Sequence, residues 1–394
     1  MATLDFEQAR SCVFEHVRPL TKVEEIPLEQ AAGRVLAEDV FYDRDYPTTD
    51  RSVRDGFAVR SADLPGTLII IGEVRAGEAF PGVVGPGQAV EIMTGAPLPR
   101  GADQIVMVEH ASTESGTVTT TRPAHPQEFI NPRGGEARAH AVAAKGGVRL
   151  DYAGIAQLAM VGAWKVKVFA KPRVSILATG DEIIPVSGTP EDFQIRNSNS
   201  YSAAVQVDRA GGEPVILPAA KDTLESTRQL VETGLQCDLL LLTGGVSAGK
   251  YDLVETVLAE FGAEFYFDRV HIQPGQPLVF GRARGTFFFG LPGNPGSAMV
   301  TFELFARAAV ELLGGQSESK LLLAEAKLSA AFRHRAGLTR FLPAQLSEDG
   351  RTVAHIPWQG SSDIPAIARA NAFLIALPEK ESYTEGEPIQ VLIK

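Results

Sequence analysis

The chain has 394 residues, enough for two to four domains of about 100–200 residues each. Hydrophobic residues make up 44% and charged residues 22%, which excludes a disordered or fibrous protein, and 38 glycines and 25 prolines predict short elements joined by tight turns. A net charge of −11 argues against binding to nucleic acid or to an anionic membrane surface. No apolar run reaches the roughly 18 residues of a membrane span, and the first residues do not resemble a secretory signal, so we expect a cytoplasmic protein.

The N-terminal part of the chain alternates between helical and β patterns. Apolar residues at helical spacing predict an amphipathic helix within residues 4–19. From residue 67 to about residue 122, short β-type runs separated by Gly and Pro clusters predict a small β domain. Helical spacing returns at 150–162 and stops at Gly162.

The segment 173–315 has a different pattern, in which uniformly apolar β runs alternate with amphipathic helices. Such runs suit strands covered on both faces, which predicts a parallel α/β sheet, and the β alternation after Gly315 is consistent with a C-terminal β-barrel-like domain. The predicted fold class is multidomain, α/β and β. The four predicted domains are an elongated N-terminal or linker domain (1–45 with 138–171), a small β-rich domain (46–137), the α/β domain (172–316) and a C-terminal β domain (317–394).

Three turns of the α/β segment, each between a strand and a helix, are rich in Gly and Pro: 178–183, 242–252 and 290–298. In an open parallel sheet such turns emerge at the carboxyl ends of the strands, where helix N-termini offer unpaired N–H groups to anions. One such turn is ordinary in any α/β domain, but three favour a phosphorylated ligand. The candidate binding residues are Gly180, Asp181, Gly244, Gly245, Ser247, Gly249, Lys250, Pro292, Gly293, Asn294 and Pro295.

The middle turn also resembles a nucleotide-binding P-loop, because Gly244, Gly249 and Lys250 match G-x-x-x-x-G-K directly after a strand. A P-loop needs a Ser or Thr hydroxyl next, for Mg²⁺, and this chain has Tyr251. The substitution argues against a P-loop nucleotidase and leaves Lys250 as a candidate phosphate contact.

Carboxylates gather in the same turns: Asp181 and Glu182 in the first, Asp222 after a strand, and Asp252 at the start of a helix. Hard oxygen ligands beside a phosphate suit Mg²⁺, which usually takes one or two carboxylates, so these four residues are candidates for a metal site. For Asp252, capping of the helix is an equally good explanation.

A second group of candidates lies outside the α/β segment. Asp55-Gly56 is a turn signal, but Arg51 and Arg54 next to it supply the positive charge that an acidic protein needs for an anionic ligand. Thr94 ends a β run in the segment 92–103, which is similarly open to either interpretation.

Other chemistries lack support in the sequence. The seven histidines have no zinc-site spacing, and the two cysteines, Cys12 and Cys237, have no CxxC partner. There is no G-x-S-x-G elbow for acyl transfer and no G-x-G-x-x-G for a dinucleotide.

Taken in order, the motifs resemble a known family over nearly the whole chain. They read DRSVRDGFAVR, IMTGAPLPRGADQIVMVE, ATGDEI, TGGVSAGKYD, IQPGQPLVFG, GLPGNPGSA and GSSDIPAIARANAFLIALP. This series resembles the molybdopterin molybdenumtransferase family, MoeA, to which the E domain of gephyrin is related.

The resemblance implies a fold and an activity. The fold would have a MogA-like, molybdopterin-binding α/β domain, and the protein would be a homodimer with its site between the α/β domain of one subunit and the small β domain of the other. The activity would be Mg²⁺-dependent ligation of molybdate to adenylylated molybdopterin, with release of AMP and molybdenum cofactor. A separate molybdopterin adenylyltransferase would supply the substrate.

The resemblance also implies roles for single residues. Asp55 and Thr94 would face the site from the β domain, Glu182, Asp222 and Asp252 would act near metal and phosphate, and Pro292 and Pro295 would shape their loop. These acidic residues, with Asp55 and Thr94, are the candidate catalytic set. Ser361 would correspond to a residue of the C-terminal domain near the site.

The chain departs from the family pattern at several charged positions. Gln273 and Gln276 stand where many members have Lys, Asn131 where Arg is usual, and Glu136 where Asp is usual. We expect Gln273 and Gln276 at the substrate, and we hypothesise that Arg51 and Arg54 restore part of the lost positive potential.

Two alternative functions remain open from the sequence. One is a non-catalytic, pterin-binding scaffold of the same fold, for which the glutamines would reflect lost catalysis. The other is a P-loop-like nucleotide hydrolase, which would act on ATP without a pterin.

Overall fold

The computed structural model describes residues 3–244 and 253–394. The chain divides into two compact units, one of residues 1–38, 146–151 and 165–394 and the other of residues 39–145 and 152–164. In the described parts of the chain, no helix has the length and apolar content needed to span a bilayer. The boundaries predicted for the four domains stay predictions.

The α/β domain is built on a six-stranded sheet in the first unit. Its strands are β1 (Arg173–Ala178), β2 (Glu213–Ile216), β3 (Leu239–Thr243), β4 (Glu264–Phe267), β5 (Val279–Ala283) and β6 (Thr286–Leu291). They lie in the order β2-β1-β3-β6-β5-β4. Neighbours among β2, β1, β3 and β6 pair in parallel, which confirms the predicted parallel sheet. The antiparallel edge of β5 and β4 was not predicted from the sequence.

Helices cover both faces of this sheet. They are α1 (Ser198–Arg209), α2 (Leu224–Gly234), α3 (Leu253–Glu260) and α4 (Pro295–Thr301), and α4 runs through a π-helical segment (Phe302–Ala306) into α5 (Arg307–Leu313). Side chains alternate along β3: Leu241 packs in the core that contains Val207 of α1, whereas Leu240 and Leu242 pack in the core that contains Val231 of α2. This two-sided burial explains why β3 is apolar at four successive positions, Leu239–Leu242.

The C-terminal segment forms a closed five-stranded barrel, which confirms the predicted barrel-like domain. Its strands, in order around the barrel, are Thr339–Leu346, Thr352–His355, Leu323–Leu328, Pro388–Ile393 and Ala372–Ala376. Pairing of the last strand with the first closes the ring. A short strand of the α/β domain, Ile272–Gln273, adds to the first barrel strand in parallel, so a backbone ladder joins the two domains.

The remaining elements of the first unit surround this assembly. The N-terminal helix, Phe6–His16, confirms the predicted helix and begins at a capping box between Asp5 and Gln8. Strand Val23–Pro27 pairs with Lys165–Phe169. The short elements are the pairs Ile183–Ile184 with Ile195–Arg196 and Phe332–Arg333 with Ser382–Tyr383, the 3₁₀ turn Leu28–Gln30 and the helix Ile364–Arg369.

The second unit contains the predicted small β domain. Its six-stranded sheet has the order Gln104–Met107, Gly56–Val59, Gln88–Ile92, Gly66–Val74, Thr117–Thr120 and Ser112–Glu114. The sheet thus begins at Gly56, within the segment that the sequence presented as a turn. Two short pairs, Arg51–Ser52 with Ile130–Asn131 and Val40–Phe41 with Val142–Ala144, and the helix Tyr152–Met160 complete the unit, with 3₁₀ turns at Ser61–Asp63 and Val108–His110.

Two half-buried histidines of the barrel region, His334 and His355, are expected to make the stability of the protein depend on pH. Phe332 stacks on Tyr383 with ring centroids 4.8 Å apart, and His334 and His355 lie beside this stack. Burial lowers the pKa of both histidines, and the charge of Arg340 lowers the pKa of His334 further. Both are therefore less basic in the folded chain than in the unfolded chain.

We predict that the free energy of unfolding falls as the pH drops below about 6.5, where the unfolded histidines bind protons and the folded ones do not. Urea unfolding at pH 7.5 and 5.5 measures this loss, because carboxylates with lowered pKa values lose their contribution only at lower pH. The double variant His334→Gln, His355→Gln should lose less stability between the two pH values than the wild type, and the exposed-site control His110→Gln should lose as much. An equal loss in the double variant would contradict the assignment.

Candidate active site

The register of the parallel strands sets three turns side by side. Ala178 at the end of β1 pairs with Thr243 of β3, which pairs with Leu291 of β6. The chain therefore leaves the sheet at the same level three times. The predicted turns begin there, and they bring Gly180, Gly244 and Gly293 to one rim of the sheet.

Glycine lets these three turns approach one another closely. Gly244 has φ +83°, and a Cβ there would come within 2.9 Å of the backbone oxygen of Thr179. A Cβ at Gly293 would lie 3.6 Å from the Cα of Gly244. The close approach of the three turns leaves no room for a side chain at Gly244.

A cavity of about 450 Å³ opens at this rim. Of the predicted site residues, it is lined by Glu182, Gly244, Pro292, Gly293, Asn294 and Pro295. Its volume lies in the range of about 300–1,000 Å³ that is typical of small-molecule sites.

Several polar residues of the cavity wall were missed by the sequence reasoning. Thr179 and Thr243 are 8% and 3% exposed, and their hydroxyls have no hydrogen-bond partner among the residues that the structure describes; the same holds for the Oδ1 atom of Asn199. An unsatisfied buried polar atom costs about 1–3 kcal/mol, so these groups need a partner that the described part of the chain does not supply. The available signal was a Thr at the end of each of two apolar strands, ILAT and LLLT.

The N-terminus of α1 also reaches the cavity. Asn197 caps this helix by accepting from the N–H of Ser200, and Asn197, Ser198 and Asn199 all line the cavity. The Nδ2 atom of Asn199 donates to the backbone oxygen of Gly293 at 2.7 Å. The run of Asn and Ser before an amphipathic segment was the signal for this helix start.

The acidic candidates are partly gathered. Glu182 lines the cavity, whereas Asp181 and Asp222 form a reciprocal contact beside it, each backbone N–H donating to the other carboxylate at 3.3 and 3.1 Å. Within residues 3–244 and 253–394, no three His, Cys, Asp or Glu side chains form a ready metal site. Mg²⁺ usually takes only one or two carboxylates, so the exposed oxygens of Glu182 and Asp222 fit its chemistry.

Part of the middle turn lies outside the described residues. The predictions for Gly245, Ser247, Gly249, Lys250 and Asp252 fall there.

The third turn contacts the C-terminal part of the chain at Ser361. Asn294 Nδ2 donates to Ser361 Oγ at 3.0 Å, and the N–H of Gly296 donates to the backbone oxygen of Ser361 at 2.7 Å. Ser361 thus lies at the rim. The contact also takes up a helix N–H that the sequence analysis expected to be free for an anion.

Gln273 and Gln276 do not line the cavity, although Pro277 of the same loop does. Gln273 lies on the strand that joins the barrel, and Gln276 uses its backbone oxygen to accept from the N–H groups of Val270 and Leu278.

The candidates of the second unit form a separate group. Asp55 Oδ1 accepts from both the N–H and the hydroxyl of Thr94, at 2.6 and 2.7 Å, and these bonds lower the pKa of Asp55. Thr94 and Arg51 line a cavity of about 590 Å³, whereas Arg54 is exposed and does not line it.

Comparison with known proteins places these features in a family. Residues 4–162 match the MoeA N-terminal region (domain I and II), 175–312 a probable molybdopterin-binding domain, and 325–394 the MoeA C-terminal region (domain IV). Relatives named molybdopterin molybdenumtransferase include one from Staphylococcus aureus (33% identity over 93% of this chain and 90% of the relative) and one from Bacillus subtilis (34% over 96% and 91%). A solved molybdopterin biosynthesis MoeA protein from Pyrococcus horikoshii has a TM-score of 0.83 at 27% identity, with both chains fully covered.

We predict that Thr94→Val raises the pKa of Asp55 toward its ordinary value of about 3.9, because the variant loses the hydroxyl donor. The pKa should stay below that value, since the N–H of residue 94 still donates. A ¹³C NMR titration of labelled aspartates measures the shift, and the exposed-site variant Thr113→Val is the control. An unchanged pKa in Thr94→Val would refute the hydroxyl contact.

Proposed function

Since the chain belongs to the molybdopterin molybdenumtransferase family of molybdenum cofactor biosynthesis, we propose that it ligates molybdate to adenylylated molybdopterin, with Mg²⁺, and releases AMP and molybdenum cofactor. The observation that carries the proposal is the cavity where the three turns meet. It combines unsatisfied hydroxyls, the start of a helix and a carboxylate, which are the groups that a phosphorylated ligand with a divalent ion requires.

In this proposal some residues of the cavity bind the substrate and others hold the cavity wall in place. The hydroxyls of Thr179 and Thr243 and the first N–H groups of α1 bind phosphate oxygens or polar atoms of the pterin. Asn199 holds the loop of Gly293 in place through its 2.7 Å bond, which keeps the wall of the cavity fixed before substrate enters.

The acidic residues are the proposed ligands of the metal ion. Mg²⁺ would be held beside the phosphates by Glu182 and Asp222. Asp252, the third acidic residue that the family resemblance implies, would assist them. Held there, the ion would supply positive charge against the phosphates, which would favour the departure of AMP. Asp55 and Thr94 stay predicted catalytic residues, and the two hydrogen bonds that Thr94 donates favour the ionised form of the Asp55 carboxylate and orient it.

The homodimer and the upstream adenylyltransferase also stay predictions. Light scattering on the purified chain would test the first, since a homodimer has twice the chain mass.

We expect purified protein to release AMP from adenylylated molybdopterin only when molybdate and Mg²⁺ are both present, as measured by chromatography of AMP and by reconstitution of a molybdenum-free apoenzyme. Glu182→Gln should lower the rate about 100-fold, a loss typical of removing one group that stabilises transition-state charge. Asp222→Asn should raise the Mg²⁺ concentration needed for half-maximal rate. The matched control is Glu191→Gln, an exposed carboxylate of the same connection that does not line the cavity.

The same assay separates the alternatives. A scaffold would bind the pterin without releasing AMP, and a nucleotide hydrolase would consume ATP without any pterin. AMP release that is independent of Mg²⁺, or a fully active Glu182→Gln variant, would overturn the proposed roles.

A further inference from the structure

The cavity of the second unit has cationic side chains in its wall to which the proposed function gives no role. We call it the arginine cavity, after Arg44 and Arg51 in its wall; Thr94, Asn131 and Glu136 also line it, and its volume is about 590 Å³. The wall therefore carries two cationic side chains and one carboxylate.

Arg51 is held rigidly at this wall. Its strand pairs antiparallel with Ile130–Asn131, where Arg51 lies opposite Asn131, and an isolated bridge joins it to Pro97 on its other side. Backbone pairing on both sides fixes where the side chain begins. Only the side chain itself must be ordered when a ligand binds, which limits the entropy cost.

The guanidinium of Arg51 lacks a partner in the described part of the chain. Its Nε atom is buried and has no hydrogen-bond acceptor, and no carboxylate of residues 3–244 and 253–394 is found within ion-pair distance of it. The neighbouring arginines differ, because Arg44 lies 3.6 Å from a carboxylate oxygen of Asp43 and Arg133 lies 2.8 Å from one of Asp45. A partly buried, unpaired cation is costly unless an anion joins it.

The other polar groups of the wall are already engaged. Glu136 accepts from Asn131 Nδ2 at 2.7 Å, and the hydroxyl of Thr94 donates to Asp55. Both carboxylates, Glu136 and Asp55, thus accept from neutral donors, and neither forms an ion pair with Arg51.

We infer that Arg51 binds a tetrahedral oxyanion in the arginine cavity, either molybdate or a phosphate group. The planar guanidinium fork matches two oxygens of such an anion at once, which a lysine cannot do. The binding of an oxyanion stands on the cavity alone, whereas its identity as a substrate of the reaction rests on the proposed function.

Arg54 provides a matched control. It is three residues away and exposed, its Nη1 atom donates to the backbone oxygen of Val53 at 3.2 Å, and it does not line the cavity. Arg51→Gln and Arg54→Gln change the net charge equally. A general effect of charge on anion binding would therefore weaken both variants to the same extent.

The test is calorimetric titration of the full chain and these two variants, at about 0.15 M ionic strength, with sodium molybdate in one arm and inorganic phosphate in the other. Arg51→Gln should weaken binding of the preferred oxyanion about tenfold or more, and Arg54→Gln by less than twofold. Dependence on Arg51 in the molybdate arm alone identifies a metal oxyanion site, and dependence in the phosphate arm identifies a site for a phosphate group. Equal losses in both variants, wild-type binding by Arg51→Gln, or no binding of either anion to the wild type at millimolar concentration would overturn the inference.

The variant Arg51→Lys distinguishes the loss of the guanidinium from a folding defect of Arg51→Gln. It keeps the positive charge and loses the planar guanidinium, so it should bind the oxyanion more tightly than Arg51→Gln and less tightly than the wild type, with an unchanged melting temperature.

If the wild type binds molybdate through Arg51 but releases no AMP, the oxyanion site holds and the proposed function fails. If AMP is released and Arg51→Gln leaves both KM for molybdate and the calorimetric affinity unchanged, the proposed function holds and the oxyanion site fails.

Discussion

The candidate active site depends on one constraint, the in-register pairing of three parallel strands. Because Ala178, Thr243 and Leu291 lie side by side, the turns that follow them leave the sheet together and meet within van der Waals distance. A shift of one residue in any strand would turn its last side chain to the opposite face. The polar wall of the cavity is thus fixed by an apolar core that contains none of its residues.

Much of this architecture could be predicted from the sequence, because the signals are local. Uniformly apolar runs predicted β1, β3 and β6, and Gly-rich segments predicted the turns after them. The antiparallel edge was missed because Val279–Ala283 lies within a stretch dominated by Gln, Pro and Gly, and its pairing with β6 is set by a tight turn at Gly285 rather than by a distinctive pattern.

The sequence predicted the backbone turns that form the site, but it predicted fewer of the polar side chains that line the cavity. Glycine and proline mark tight turns in any sequence. The importance of Thr179 and Thr243 lies instead in hydroxyls that find no partner in the described part of the chain, which is a property of the fold. The two arginines of the β domain illustrate the same point. The sequence does not distinguish Arg51 from Arg54 as an anion ligand. In the folded chain Arg51 lines the cavity, whereas Arg54 is exposed to solvent.

The strand Ile272–Gln273 has a consequence for how this chain can be divided. It is supplied by the α/β domain but completes the edge of the barrel sheet, and Ser361 in turn occupies an N–H of the third turn. Cutting the chain between these domains would expose unpaired backbone groups at the sheet edge of the barrel fragment. It would also remove the contact between Ser361 and the third turn from the other fragment. The α/β domain and the C-terminal barrel therefore support each other, and neither fragment is expected to be as stable alone as it is in the full chain.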